Sequence, residues 1–225
     1  MAGTIIADFI RTDANQLSLN VGNTTFATIN ASGFFSNTGT QLIAANGKVS
    51  GASVIASSIP VGKLGAASVA RTNMYSGAVL QVVSTTKTDT FSTASGSHVD
   101  ITGMSVSITP TSSSNKILIV VTIGCIGTDG NAAVALRLLR GSTVIAQPDV
   151  GTADPRDGFF NFYHNNQTGI GVAASVNFLD SPATTSSTTY KVSAYTNGGT
   201  CYVNRLPGDS NWHSTSTITV MEIAG

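Results

Sequence analysis

One glutamate and five lysines stand against 30 threonines, 27 serines, 16 asparagines and 23 glycines in a chain of 225 residues. That imbalance removes the straight-chain residues that favour helices. It supplies β-branched side chains for pleated, half-buried surface, with Gly, Asn and Ser for tight turns. The chain is therefore expected to be almost wholly β, and it is long enough for one large domain or two small ones with a conventional core. Lys+Arg and Asp+Glu balance at 11 each, and charged residues make up only 10%. No basic stripe is available to hold a phosphate backbone, so no nucleic-acid partner is expected. No apolar run has the length of a membrane helix, so no membrane insertion is expected, and Met1-Ala2-Gly3-Thr4-Ile5-Ile6-Ala7 lacks the basic start of a secretory signal.

From Gly77 onward, short apolar runs alternate with turn clusters at the spacing of a sandwich or barrel. Strands are expected at Ala78 to Thr86, Thr90 to Thr93, Met104 to Ile108, Lys116 to Ile126, Ala133 to Leu139, Thr143 to Ala146, Phe159 to His164, Ile170 to Leu179, Thr189 to Tyr195, Thr200 to Asn204 and Ser216 to Ile223. Ile117-Leu118-Ile119-Val120-Val121 is continuously apolar, as a central strand covered on both faces would be. Arg140-Gly141, Asp129-Gly130 and Asn197-Gly198-Gly199 provide hairpin turns, making neighbouring strands antiparallel. The last run, Ile218 to Ile223, reads as a strand paired inside a sheet, so truncation there should be damaging.

Residues 1–47 read as a separate small β unit, with strands at Thr4 to Ile10, Gln16 to Val21 and Thr24 to Asn30 and short pieces near Phe34 and Leu42. Residues 48–75 fade into small side chains and read as a neck or linker, extended or with a short helix at Ala66 to Asn73. Residues 76–225 form the head. A unit of some 45 residues buries too little surface to be stable alone, so partner chains are expected.

The stretches Ser76-Gly77-Ala78-Val79-Leu80-Gln81-Val82-Val83, Lys87-Thr88-Asp89-Thr90-Phe91-Ser92-Thr93, Ser107-Ile108-Thr109-Pro110, Ser114-Asn115-Lys116-Ile117-Leu118, Leu136-Arg137-Leu138-Leu139-Arg140-Gly141-Ser142, Asn177-Phe178-Leu179-Asp180-Ser181-Pro182 and Thr217-Ile218-Thr219-Val220-Met221-Glu222 follow one another in the chain. In this order they resemble a module of structural and tail-fibre proteins of marine tailed phages, cyanophages among them. The resemblance covers about residues 76 to 225. It implies a C-terminal fibre head, here a two-sheet antiparallel jelly roll, in a virion protein assembled in the host cytoplasm. It implies a homotrimer as well, and threefold contact would also cover apolar sheet surface and protect strand edges. By analogy with the short β-rich N-termini of phage fibres, the N-terminal unit is expected to bind other virion proteins or to join the trimer.

Catalytic and cofactor motifs are sparse. Gly169-Ile170-Gly171-Val172-Ala173-Ala174 fits the glycine pattern of a dinucleotide loop, yet Ser175-Val176-Asn177-Phe178 continues as strand and the next acid, Asp180, comes too early; a strand start is the better reading, and no cofactor is expected. Asp149, Asp154 and Asp157 in one loop suggest calcium ligands, an acid pair, or solvated charges partnered by Arg156. His98, His164 and His213 lack metal-ligand spacing, although a threefold axis could gather three copies of one of them. Cys125 and Cys201 are expected to be free and buried.

Leu206-Pro207-Gly208-Asp209-Ser210-Asn211-Trp212-His213 holds the single tryptophan in a loop between strands. An indole face stacks on a sugar ring while short polar side chains bond hydroxyls, so Asp209, Asn211, Trp212 and His213 are the candidate receptor-binding residues. The alternative is that Trp212 folds back to cap the sandwich or packs at a subunit contact. The expected function is non-enzymatic attachment of a tail fibre to a host-surface glycan or protein. A capsid-decorating or head-fibre protein of the same fold and a polysaccharide-trimming enzyme are the alternatives.

Overall fold

A computed structural model describes residues 16–21, 24–36, 41–44, 74–149, 154–165 and 169–225. The chain divides into two compact units, Met1–Val69 and Ala70–Gly225. In the first, β1 (Gln16–Val21), β2 (Thr24–Asn30), β3 (Gly33–Ser36) and β4 (Gln41–Ala44) form an antiparallel meander in chain order. The expected strand at Thr4 to Ile10 and the helix at Ala66 to Asn73 lie outside the described residues, as does most of the neck.

The second unit holds β5 (Val79–Lys87), β6 (Phe91–Thr93), β7 (Val99–Ile108), β8 (Lys116–Thr128), β9 (Ala132–Arg140), β10 (Thr143–Ile145), β11 (Phe160–His164), β12 (Val172–Asp180), β13 (Thr188–Thr196), β14 (Cys201–Val203), β15 (Arg205–Leu206), β16 (Asp209–His213) and β17 (Ser216–Ile223). No helix occurs among the described residues, and every strand pair is antiparallel. One sheet sets β5, β17, β8 and β12 side by side, with β6 and β14 beside the far half of β8. The other sets β7, β13 and β9 side by side, with β10 and β11 along the free edge of β9.

The pairings nest: β5 with β17, β7 with β13, β8 with β12, β9 with β11. Within this unit first pairs with last and the middle strands pair with each other, so it is a long antiparallel ribbon rolled into two sheets, a jelly roll. The core lies between the sheets. Ile117, Ile119, Val121 and Ile123 of β8, with Ile218 and Val220 of β17, face Met104, Val106 and Ile108 of β7, Leu136 and Leu138 of β9, and Tyr190 and Val192 of β13, all buried.

Two expectations change. Asp129-Gly130 and Asn197-Gly198-Gly199 do not close hairpins. The first joins β8 to β9 and the second β13 to β14, so each carries the chain from one sheet to the other. The two crossings lie together: Asp129 N–H donates to Thr200 O (3.2 Å), Thr200 N–H donates to the Asp129 carboxylate, and Ala133 N–H donates to Asn197 Oδ1 (2.6 Å). Gly199, at φ +63°, lies so close to Asp129 O that a Cβ there would collide with it. The second change concerns β8. Its inner face is fully buried, but Leu118 and Val120, which point outward, are only partly covered. The strand is apolar on both sides, while the described residues of this unit fully bury one.

Candidate functional site

The segment read as a loop at residues 206–213 is itself a two-stranded hairpin, β15 with β16, turning at Gly208 (φ +76°). Its base is fixed by a buried asparagine. Asn204 has φ +62°, a left-handed conformation that Asn tolerates better than most residues. Its Nδ2 donates to Lys87 O and Asp89 O (3.0 Å each), its Oδ1 accepts from Ser216 Oγ (2.5 Å), and its N–H donates to Cys125 O (2.8 Å). One side chain thereby ties together the end of β5, the turn before β6 and the start of β17.

Glycines make the bed for the hairpin. A Cβ on Gly127 would collide with Ile170 O and lie 2.7 Å from Cγ of the buried Pro207; one on Gly171 would collide with Cys125 Sγ and lie 2.7 Å from Leu206 Cδ2. In the apparent dinucleotide motif Gly171 therefore serves packing, Gly169 supplies a turn at φ +79°, and Val172 opens a strand directly after them. Next to the base, the Arg205 guanidinium stacks 4.6 Å from the Tyr202 ring centroid, and Tyr202 donates to Asp129 Oδ2 (3.1 Å). None of these supporting residues was identifiable from sequence spacing, because they come from distant strands.

The tip is different in character. In register, Arg205 opposes His213 and Leu206 opposes Asp209, so Ser210, Asn211 and Trp212 have no counterpart and bulge outward. Asn211 N–H donates to Asp209 Oδ1 (2.8 Å), a local turn that closes the bulge. Asn211, Trp212 and His213 are exposed and Asp209 is half-buried. Trp212 is 67% exposed, so it does not fold back to cap the described sandwich. All four candidate residues lie on one short element, with Asp209 and Asn211 in contact, and the result is a free indole among short polar groups.

The other sequence candidates have local roles. Both Asp154 oxygens bind Arg156, at 2.9 Å from Nε and 2.6 Å from Nη2, and this pairing holds the carboxyl well below the usual range. Asp157 Oδ2 accepts from Asp154 N–H (2.9 Å), and Arg137 donates to the carbonyls of Asp157 (2.7 Å) and Asp154 (2.6 Å), so the loop is fastened over β9. Asp149 is exposed. Among the described residues no group of three or more His, Cys, Asp or Glu side chains is placed to hold a metal. His98 stacks on Tyr195 (5.6 Å between centroids) with Nε2 2.7 Å from Pro155 O, and burial lowers its pKa. His164 is buried, with Nδ1 2.9 Å from Gly130 O. Both cysteines are free, but only Cys201 is fully buried, which pushes its pKa up to about 12; Cys125 is only partly buried, contrary to expectation.

No family model and no curated protein matches the chain. Solved structures give weak, partial similarities to proteins of viral particles. A chain from the structure of infectious bursal disease virus Gt strain aligns at TM-score 0.34 and 13% identity, over 67% of this chain and 39% of that one. A chain of the infectious bursal disease virus VP2 subviral particle aligns at TM-score 0.30 and 16% identity, over 64% of this chain and 37% of that one. The chain thus covers under two fifths of the length of either.

Proposed function

We propose that the protein is a structural component of a virus particle, a phage tail fibre whose jelly-roll head attaches to host-surface glycan through the β15–β16 hairpin. The observation that carries this reading is the placement of Trp212: an exposed indole on a bulge, above a base clamped by Asn204 and the Gly127–Pro207 contact. A clamped base limits the ordering cost of binding, and the short polar residues Asp209, Asn211 and His213 supply hydroxyl partners beside the ring. The head binds and does not break bonds. Each contact is weak, and three copies per fibre, with several fibres per particle, raise the effective concentration. The N-terminal unit joins the fibre to other virion proteins.

Retention of the full-length protein on immobilised host envelope glycans tests the reading. Trp212→Ala is expected to lower binding about tenfold with an unchanged β-sheet spectrum. Equal binding by the variant would sink the hairpin assignment. New reducing ends in the glycan would end the binding-only view, and label on capsid capsomers instead of tails would end the fibre assignment.

A further inference from the structure

We infer that the outer face of the β5–β17–β8–β12 sheet is where copies of this chain associate. The proposal rests on the three-copy reading above and adds the surface to it. The register aligns the outward side chains of this sheet in rows. Val82, Met221, Leu118 and Leu179 stand directly opposite one another across all four strands. Beside them lies Val79–Ile223–Lys116, and on the other side come Ser84–Thr219–Val120–Asn177 and Thr86–Thr217–Thr122–Ser175. One end of the face is thus apolar, with Val79 50%, Val82 56% and Leu179 49% exposed. Gly77 N–H donates to Ala224 O (2.8 Å), just past β17, which ties the start of β5 to this end of the sheet. The other end is Ser, Thr and Asn.

Charge separates the two sheets. In these rows Lys116, at a corner, is the one charged residue. The opposite sheet carries the Lys191–Asp100 pair (2.6 Å) and Arg137, with the Arg156–Asp154 loop fastened over it. A face whose one charge, Lys116, sits at a corner asks for almost no opposite charge on its partner and meets its own copy with little repulsion, so a second copy of the chain is the occupant. The area agrees. Four strands about 4.8 Å apart and about eight residues long at ~3.3 Å each give a footprint near 500 Å² per copy. Two copies then bury about 1,000 Å², the lower bound of a specific interface. The continuous apolar run of β8 has the same explanation, since association covers the Leu118 and Val120 side that one chain leaves open.

The test is the mass of the full-length protein in solution by light scattering, for wild type, for the double variant Val82→Glu and Leu179→Glu, and for Ser105→Glu on the outer side of β7 as control. The wild type and Ser105→Glu should show the same integral multiple of the chain mass. The double variant should keep the β-sheet spectrum and dissociate, with a dissociation constant raised at least about a hundredfold, because each seated copy would bury two unpaired carboxylates. A mass of three copies that falls to one in the double variant supports both the face and the trimer. A mass of two that falls to one supports the face and ends the trimer. A trimer that persists in the double variant, or dissociates equally in the control, overturns the face and leaves the trimer standing. A monomeric wild type overturns both.

Discussion

Glu222, the single glutamate of the chain, is fully buried and is held entirely by neutral donors. Asn115 Nδ2 (2.6 Å), Thr111 N–H (2.6 Å) and Thr111 Oγ1 (2.7 Å) donate to one oxygen, and Gln81 Nε2 donates to the other (2.6 Å). Burial pushes its pKa up, but the hydrogen bonds from Asn115, Thr111 and Gln81 together outweigh it and hold the carboxyl below its ordinary value. A depressed folded-state pKa adds stability above the unfolded value, about 4.3, that is lost as pH falls through the folded value. Denaturant titrations should therefore show wild-type stability falling below about pH 4, with a smaller acid loss in Glu222→Gln. At neutral pH that variant should lose about 2 kcal/mol or more, because its amide places a donor against donors. Asn204 is the second such residue. Asn204→Ala strands the Lys87 and Asp89 carbonyls and forces a Cβ-bearing residue without a compensating amide into φ +62°, so a loss of about 3 kcal/mol is expected. Asn204→Gly relieves the backbone alone and should fall between the two, as thermal midpoints would show.

At the scale of elements, strands were legible and their contacts were not. β17 matches its expected bounds at Ser216 and Ile223, and β8 runs on past its expected end at Ile126 to Thr128, because alternation and apolar runs are local signals. The β15–β16 hairpin was hidden by Pro207-Gly208 and by its three-residue bulge, which break the period of two. Its docking depends on Gly127 and Gly171, whose need to be glycine arises from groups far away in the chain. Gly127→Ala should therefore displace the hairpin. Glycan retention should fall as far as in Trp212→Ala, whereas circular dichroism should still report an intact sandwich. Preserved retention would mean that the tip binds independently of its base.

At the scale of the whole molecule, the asymmetry between the sheets sets the expected solution behaviour. Ion pairs weaken as salt screens them, whereas burial of uncharged surface does not. Raising salt from about 0.15 to about 1 M should leave the assembled mass unchanged or increase it, as measured by sedimentation. Dissociation at high salt would point to the charged sheet as the contact. Substitutions across β8 should divide in the same way. Ile119→Ala, facing the core, should cost about 3–4 kcal/mol of folding stability, while Leu118→Ala should mainly weaken association.

Residue chemistry alone determined that the described residues form strands and no helix, where most strands lie, and which segment carries the lone indole, because helix propensity, alternation and turn residues act within a few positions. Tertiary structure decided which turns cross between the sheets, that Trp212 stands in solvent, and that one face of β8 stays open. Each of these depends on contacts between segments tens to more than a hundred residues apart, and such a pairing leaves no local mark.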